Sequence, residues 1–125
     1  MGIQERSPIQ SYRDLQVWKM GMDLAEAIYR VTRGFPREEM FGITSQMRRS
    51  ASSVPYNIAE GWGKDTTAQF IHGLQIAQGS LKELETQVSL AQRLEFLSRE
   101  QEERLLGMSD EESRMIRALI RTLEK

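Results

Sequence analysis

The chain is predicted to be all-α, an antiparallel up-down-up-down four-helix bundle. Three observations predict it. Apolar residues recur at helical period in four successive segments, and the connections between those segments are only a few residues long. No stretch alternates apolar and polar as a half-buried strand does. Aromatic residues make up only 7% of the chain, so the core has to be built from Leu, Ile, Met, Val and Ala.

The 125 residues fit one ordinary domain. Residues 1–10 contain Pro8 and show no periodicity, and are read as a flexible N-terminal arm; residues 11–125 form the bundle. A hydrophobic content of 39% with 28% charged residues is that of a soluble globular protein. There are no cysteines, which removes disulfides and thiolate chemistry and fits a reducing compartment. No apolar run approaches the length of a membrane span, and the N-terminus lacks the apolar region of a signal peptide. Gly2 does not open a myristoylation signal, because Arg6 stands where Ser or Thr is needed. A cytoplasmic protein that does not engage membranes is expected.

Ser11 opens the first helix, with Asp14 at capping-box distance. Leu15, Trp18, Met22, Ala25 and Tyr29 form one stripe on it, and Val17, Gly21, Leu24, Ile28 and Val31 form a second beside the first. A helix this broadly apolar needs more than one neighbour to cover it. Gly34 is placed to take a left-handed cap, Phe35 to fold back, and Pro36 to prevent continuation. The second helix is expected to start just after Pro36, with Glu38 and Glu39 in its first turn, and to end at Gly61 and Gly63.

Thr66 and Gln69 cap the third helix, which is expected to reach about Phe96. Phe70, Leu74, Ala77, Leu81, Leu84, Val88 and Ala91 follow at alternating steps of four and three, the cleanest heptad in the chain. Ser98 and Gln101 form the capping box of the fourth helix. Its expected inner face is Leu105, Met108, Met115, Leu119 and Leu123, with a break possible near Gly107, since Ser109 and Glu112 offer a second start.

The second helix carries two distinct stripes. Met47, Ala51, Val54 and Ile58 are apolar; Gln46, Arg49, Ser53, Asn57 and Glu60 are polar. The polar stripe fits either a hydrogen-bonded seam against a neighbouring helix or subunit, or a binding surface. Pro55 lacks the N–H that the Ala51 carbonyl needs, so the helix ends at Val54 or bends and continues. Continuation is favoured, because Ile58 keeps to the apolar stripe. A tight turn near residue 64 pairs positions whose numbers sum to roughly 128. Ser50 to Ser53 then face the small residues around Gly79 and Ser80, and Arg48 or Arg49 reaches Glu83. Gln46, Arg48, Arg49, Ser53, Asn57, Glu60 and Glu83 are the candidate polar seam.

Nothing here reads as an enzyme. His72 is the only histidine, and the chain has neither a metal-ligand set nor a nucleophile with a base, so no catalytic residue, cofactor, metal or small-molecule substrate is assigned. The acidic clusters Glu100 to Glu103 and Asp110 to Glu112 read as solvated helix faces. A net charge of −1 argues against strong non-specific nucleic-acid binding but leaves local patches open. Two are present. Arg30, Arg33 and Arg37 cluster around the first connection, and Arg114, Arg117, Arg121 and Lys125 share one face of the last helix. These are the candidate contacts to RNA or DNA, although the second set also complements a helix C-terminus. The doubled stripe of the first helix, with Val17, Trp18, Leu24, Ile28 and Tyr29, is the candidate subunit interface of a protein that associates with itself. A protein-interaction scaffold without nucleic acid is the alternative.

Residues 35–64, FPREEMFGITSQMRRSASSVPYNIAEGWGK, and the later IAQGSLKELE resemble the bacterial four-helix-bundle proteins encoded within intervening sequences of 23S ribosomal RNA genes. The resemblance covers about residues 12 to 123 and rests on Phe35, Pro36 and Glu39, on Gln46, Arg48 and Arg49, on Ser53 to Pro55, on Asn57 to Gly61, and on Gly79, Ser80 and Glu83. Ile43 stands where the family often has Leu. The resemblance implies an up-down bundle assembled as a ring-like homopentamer. It also implies a relative of the same fold, the accessory protein of diversity-generating retroelements, which binds nucleic acid and a reverse transcriptase. It carries no established biochemical activity for the intervening-sequence branch, and the label of ribosomal protein reflects gene location.

Overall fold

The computed structural model describes residues 9–125. The expected arm falls largely on residues 1–8, outside the described residues. Four helices follow: α1 (Gln16–Thr32), α2 (Ile43–Trp62), α3 (Thr67–Arg93) and α4 (Arg99–Leu123). Among the described residues there is no strand. Contacts run in opposite order along each neighbouring pair. Arg48 meets Thr32 while Val54 meets Gly21; Ser53 meets Ser80 while Ser50 meets Glu83; Ser113 meets Gln78 while Ser109 meets Glu85. Each helix is therefore antiparallel to the next, and α4 returns beside α1. The α1–α2 and α3–α4 connections share the upper end, where Phe35 packs on Phe96 with ring centroids 5.5 Å apart. The α2–α3 connection lies at the lower end, closed by Trp62 against Phe70.

The expected heptad of α3 is buried at every position, from Phe70 to Ala91. It meets Met47, Ala51, Val54 and Ile58 of α2 and Leu24 and Ile28 of α1 in one core. A fully buried side chain of this kind contributes roughly 1.5–3 kcal/mol by leaving water.

Several boundaries differ from expectation, each for a local reason. The Ser11–Asp14 capping box forms, but it closes a single 3₁₀ turn, Tyr12–Asp14. Leu15 is extended (φ −75°, ψ 128°), so α1 begins only at Gln16. Backbone N–H groups of Gln10 and Ser11 donate to the Asp14 carboxylate and hold its pKa below the ordinary value. Gly34 is not left-handed: the chain leaves α1 through successive tight turns, Gly34 N–H to Val31 and Phe35 N–H to Thr32. The left-handed cap occurs at Glu95 (φ 66°), after α3. There Phe96 N–H bonds Ala91 O and Glu95 N–H bonds Gln92 O, the paired bonds that finish a helix end.

After Pro36 the chain makes one 3₁₀ turn, Arg37–Glu39, and α2 starts at Ile43, so Glu38 and Glu39 precede the helix rather than opening it. α2 passes through Pro55 without ending. Ser52 Oγ donates back to the Arg48 carbonyl at 2.8 Å and Asn57 Nδ2 to Ser53 O at 2.8 Å, side-chain bonds on either side of the proline that leave the Ala51 carbonyl untouched. α4 is unbroken at Gly107.

Candidate functional site

The polar stripe of α2 builds a seam against α3. Ser53 Oγ and Ser80 Oγ are 2.8 Å apart, and Asn57 Nδ2 donates to Ser53 Oγ at 2.9 Å. Below them the backbones come into contact: a Cβ on Gly73 would lie 2.6 Å from Asn57 O and 3.0 Å from Gly61 Cα. Above them Ser50 Oγ donates to Glu83 at 3.3 Å. The seam then opens into a cleft of about 440 Å³ lined by Gln46, Arg49, Ser50, Ser53, Glu83 and Gln87. Gln87 Oε1 is shielded there without a partner. Ser53 and Asn57 thus bond one another in the seam and Glu83 stands beside Ser50 at the cleft, while Gln46 and Arg49 are exposed at its mouth. Glu60 is set apart near the lower turn, beside Lys64 and Asp65. Ser53 meets Ser80 within the expected facing of Ser50 to Ser53, although the paired positions sum to somewhat more than the roughly 128 expected.

Neither arginine pairs with Glu83; among the described residues no ion pair reaches that carboxylate. Arg48 turns to α1 instead. Its Nε donates to Thr32 Oγ1 at 2.8 Å and its Nη2 to Tyr29 O at 3.3 Å, with the guanidinium 4.8 Å from the Tyr29 ring centroid. A cation in this place satisfies a terminal carbonyl and complements the negative end of the α1 dipole. The role is structural.

The basic clusters lie at opposite ends. Arg30, Arg33 and Arg37 are at the upper end, and Arg114, Arg117, Arg121 and Lys125 descend α4 toward the lower one. Arg30 is paired with Glu26, Arg114 with Asp110, and Arg117 donates to Ser113 Oγ. Arg33, Arg37, Arg121 and Lys125 are exposed. The two clusters do not form one surface on a protomer.

The candidate interface on α1 is corrected in part. Val17, Leu24 and Ile28 are buried in the protomer's own core, because α1 is flanked by both α2 and α4 and needs its broad face for them. Trp18 is half-buried under the chain's own N-terminal turn, edge-on to Tyr12 at 5.2 Å. Tyr29 remains exposed and joins Met40, whose spacing leads into the inward stripe of Met47 but which is exposed, and Phe41, which sequence reasoning missed and which is 96% exposed. These three line an open groove with Thr44, Ser45, Arg48 and Arg49. On the opposite face Leu90 and Leu94 are exposed near Leu106.

The inner face of α4 runs Leu105, Ser109, Glu112, Ser113 and Ile116, while Met108, Met115, Leu119 and Leu123 sit at its margins. Glu112 is therefore not on a solvated face: it is 0% exposed, and neither carboxylate oxygen has a hydrogen-bond partner. Desolvation pushes its pKa from 4.5 up to about 8. The signal was present in the spacing, since Leu105, Ser109, Glu112, Ile116, Leu119 and Leu123 step by four and three without interruption. Among the described residues no three His, Asp or Glu gather as a metal site, and no helix is long and apolar enough to cross a membrane.

Fold and sites together define an all-α bundle in which a few serines, Gln78, Glu83, Glu85 and Arg48 bond across helix pairs. The family model of the 23S rRNA-intervening sequence protein matches residues 13–118, and the chain belongs to that family. A crystal structure from Bacteroides thetaiotaomicron, titled as a protein with unknown function from the S23 ribosomal protein family, is similar at a TM-score of 0.75 and 28% identity, over 83% of this chain and 97% of that one. A search of curated proteins finds no match.

Proposed function

We propose that the protein is a non-enzymatic, cytoplasmic bundle that works as a ring of copies, five in number as the family resemblance implies. The observation that carries this is the exposed Tyr29–Met40–Phe41 patch on the α1–α2 face, set against a different apolar strip at Leu90, Leu94 and Leu106 on the α3–α4 face. Two unlike patches on opposite faces suit head-to-tail contacts, which close into rings when the rotation permits. Phe41 is the anchor: a ring this exposed on a lone protomer is an aggregation liability, whereas aromatic anchors dominate interfaces. Sedimentation velocity at micromolar concentration tests the reading. The wild-type chain is expected to run as an oligomer and Phe41→Ser as a smaller species; a monomeric wild type ends the proposal.

Nucleic-acid binding is the second reading, favoured by the exposed Arg33, Arg37, Arg121 and Lys125. A ring of parallel copies would repeat each cluster around one rim and turn a weak patch into an avid one. Gel shifts with RNA and DNA over a salt series are expected to weaken steeply as salt rises and to weaken further in Arg117→Ala/Arg121→Ala. Absence of any shift at low salt leaves the scaffold alone.

A further inference from the structure

Glu112 is the only fully buried ionisable side chain among the described residues. It projects from the inner face of α4 toward α1 and α2. Opposite it on α1 is Gly21, where a Cβ would lie 3.1 Å from Glu112 Oε2, 3.3 Å from Val54 Cγ1 and 3.5 Å from Pro55 Cδ. The carboxyl thus occupies the notch the glycine leaves, and the Pro55 ring forms a wall of the same notch. Pro55 has a second effect. Having no N–H, it leaves the Ala51 carbonyl, one turn earlier on α2, without its ordinary helical donor. A carboxylate and a carbonyl are both acceptors, so an ionised Glu112 could not help Ala51. A neutral acid has one O–H to give.

No cation answers Glu112 from any packed element. On α1, Lys19 and Asp23 flank Gly21 but are exposed; on α2, Tyr56 beside Pro55 is exposed. On α3, Glu85 accepts from Ser109 at 2.6 Å and pairs with Lys82. On α4 itself Asp110 is held by Arg114, and Glu111 is exposed. The flanking polar residues of α4 are satisfied, Ser113 donating to Gln78 Oε1 at 2.8 Å, which leaves Glu112 as the bare member of its face.

We propose that Glu112 is carried as the neutral carboxylic acid in the folded bundle and donates to the Ala51 carbonyl that Pro55 strands, a proton-dependent latch between α4 and the α1–α2 pair. The raised pKa of about 8, caused by desolvation, agrees with this. The sign follows by linkage. In the unfolded chain the carboxyl titrates near its ordinary 4.5, so between 4.5 and about 8 only the folded state keeps the proton. Stability contributed by the latch is complete below 4.5, falls as pH rises through that window, and is gone above about 8.

Urea unfolding of the wild type and Glu112→Gln, from about pH 4 to about pH 9 at one protein concentration, tests the latch. Gln is uncharged throughout and still has a donor. The wild-type folding constant, relative to the variant, is expected to fall about tenfold per pH unit inside the window and to level off above it. Parallel profiles overturn the proposal. Should the variant not fold, the ¹³C carboxyl resonance of Glu112 in the wild-type protein gives the answer directly: a midpoint near 8 supports the latch, and one below 5 overturns it. Pro55→Ala returns an N–H to Ala51, so the Glu112 midpoint is expected to drop in that variant; an unmoved midpoint rules out Ala51 as the acceptor.

Discussion

The α2–α3 seam and the layer around Glu112 use the same residue type for opposite ends. In the seam, Gly61 and Gly73 let two backbones touch, and the nearby hydroxyls and amide of Ser53, Ser80 and Asn57 bond one another. In the Glu112 layer, the missing Cβ of Gly21 leaves room for a carboxyl to which no side chain among the described residues donates. A glycine in a helix sacrifices about 1 kcal/mol of propensity relative to alanine. The seam recovers that through close packing and completed hydrogen bonds, whereas at Gly21 it is spent on a polar group whose burial itself opposes folding when charged. Bundle stability and a proton-sensitive element are therefore separated within one core.

Alanine scanning of the glycines breaks or sharpens this contrast. Gly73→Ala drives a Cβ into backbone atoms that cannot rotate away, the nearest at 2.6 Å. It is expected to cost about 3 kcal/mol net of the propensity gain, read as a fall in urea midpoint. Ser53→Ala removes the centre of the seam and leaves the buried Ser80 hydroxyl without its partner, for about 2 kcal/mol. Ser53→Ala with Ser80→Ala is expected to restore part of that in a double-mutant cycle. Gly21→Ala meets only side-chain atoms, Glu112 Oε2 and Val54 Cγ1 closely and Pro55 Cδ at ordinary contact distance. Small shifts there, offset by helix propensity, are expected to hold the change within about 1 kcal/mol. Equal effects at Gly21 and Gly73 in the same assay would erase the distinction between the two regions.

The parts of this fold that were legible in the sequence are those where residue type and location agree. The α3 stripe is apolar at every inward position, and the caps at Thr66 and Ser98 lie where their side chains act. The Ser11 box was equally legible but misleading, since Leu15 is extended and interrupts the helix it announces. α4 was misread because a charged residue holds an inward position; discounting Glu112 rotates the apparent face toward Met108 and Met115. Arg48 was assigned to the wrong neighbour because its best partners, a backbone carbonyl and Thr32 Oγ1 at the end of α1, carry no charge for a sequence to display. Phe41 went unnoticed because it precedes α2 and belongs to no stripe.

The end of α1 is completed by Arg48 from α2, whereas its gap at Gly21 is completed by Glu112 from α4, two helices later. During synthesis the first hairpin can therefore finish its hydrogen bonds early, yet its α4-facing groove stays open until α4 has been made. A nascent chain halted before α4 carries a capped but unsealed hairpin, the intermediate that holdase chaperones would be drawn to.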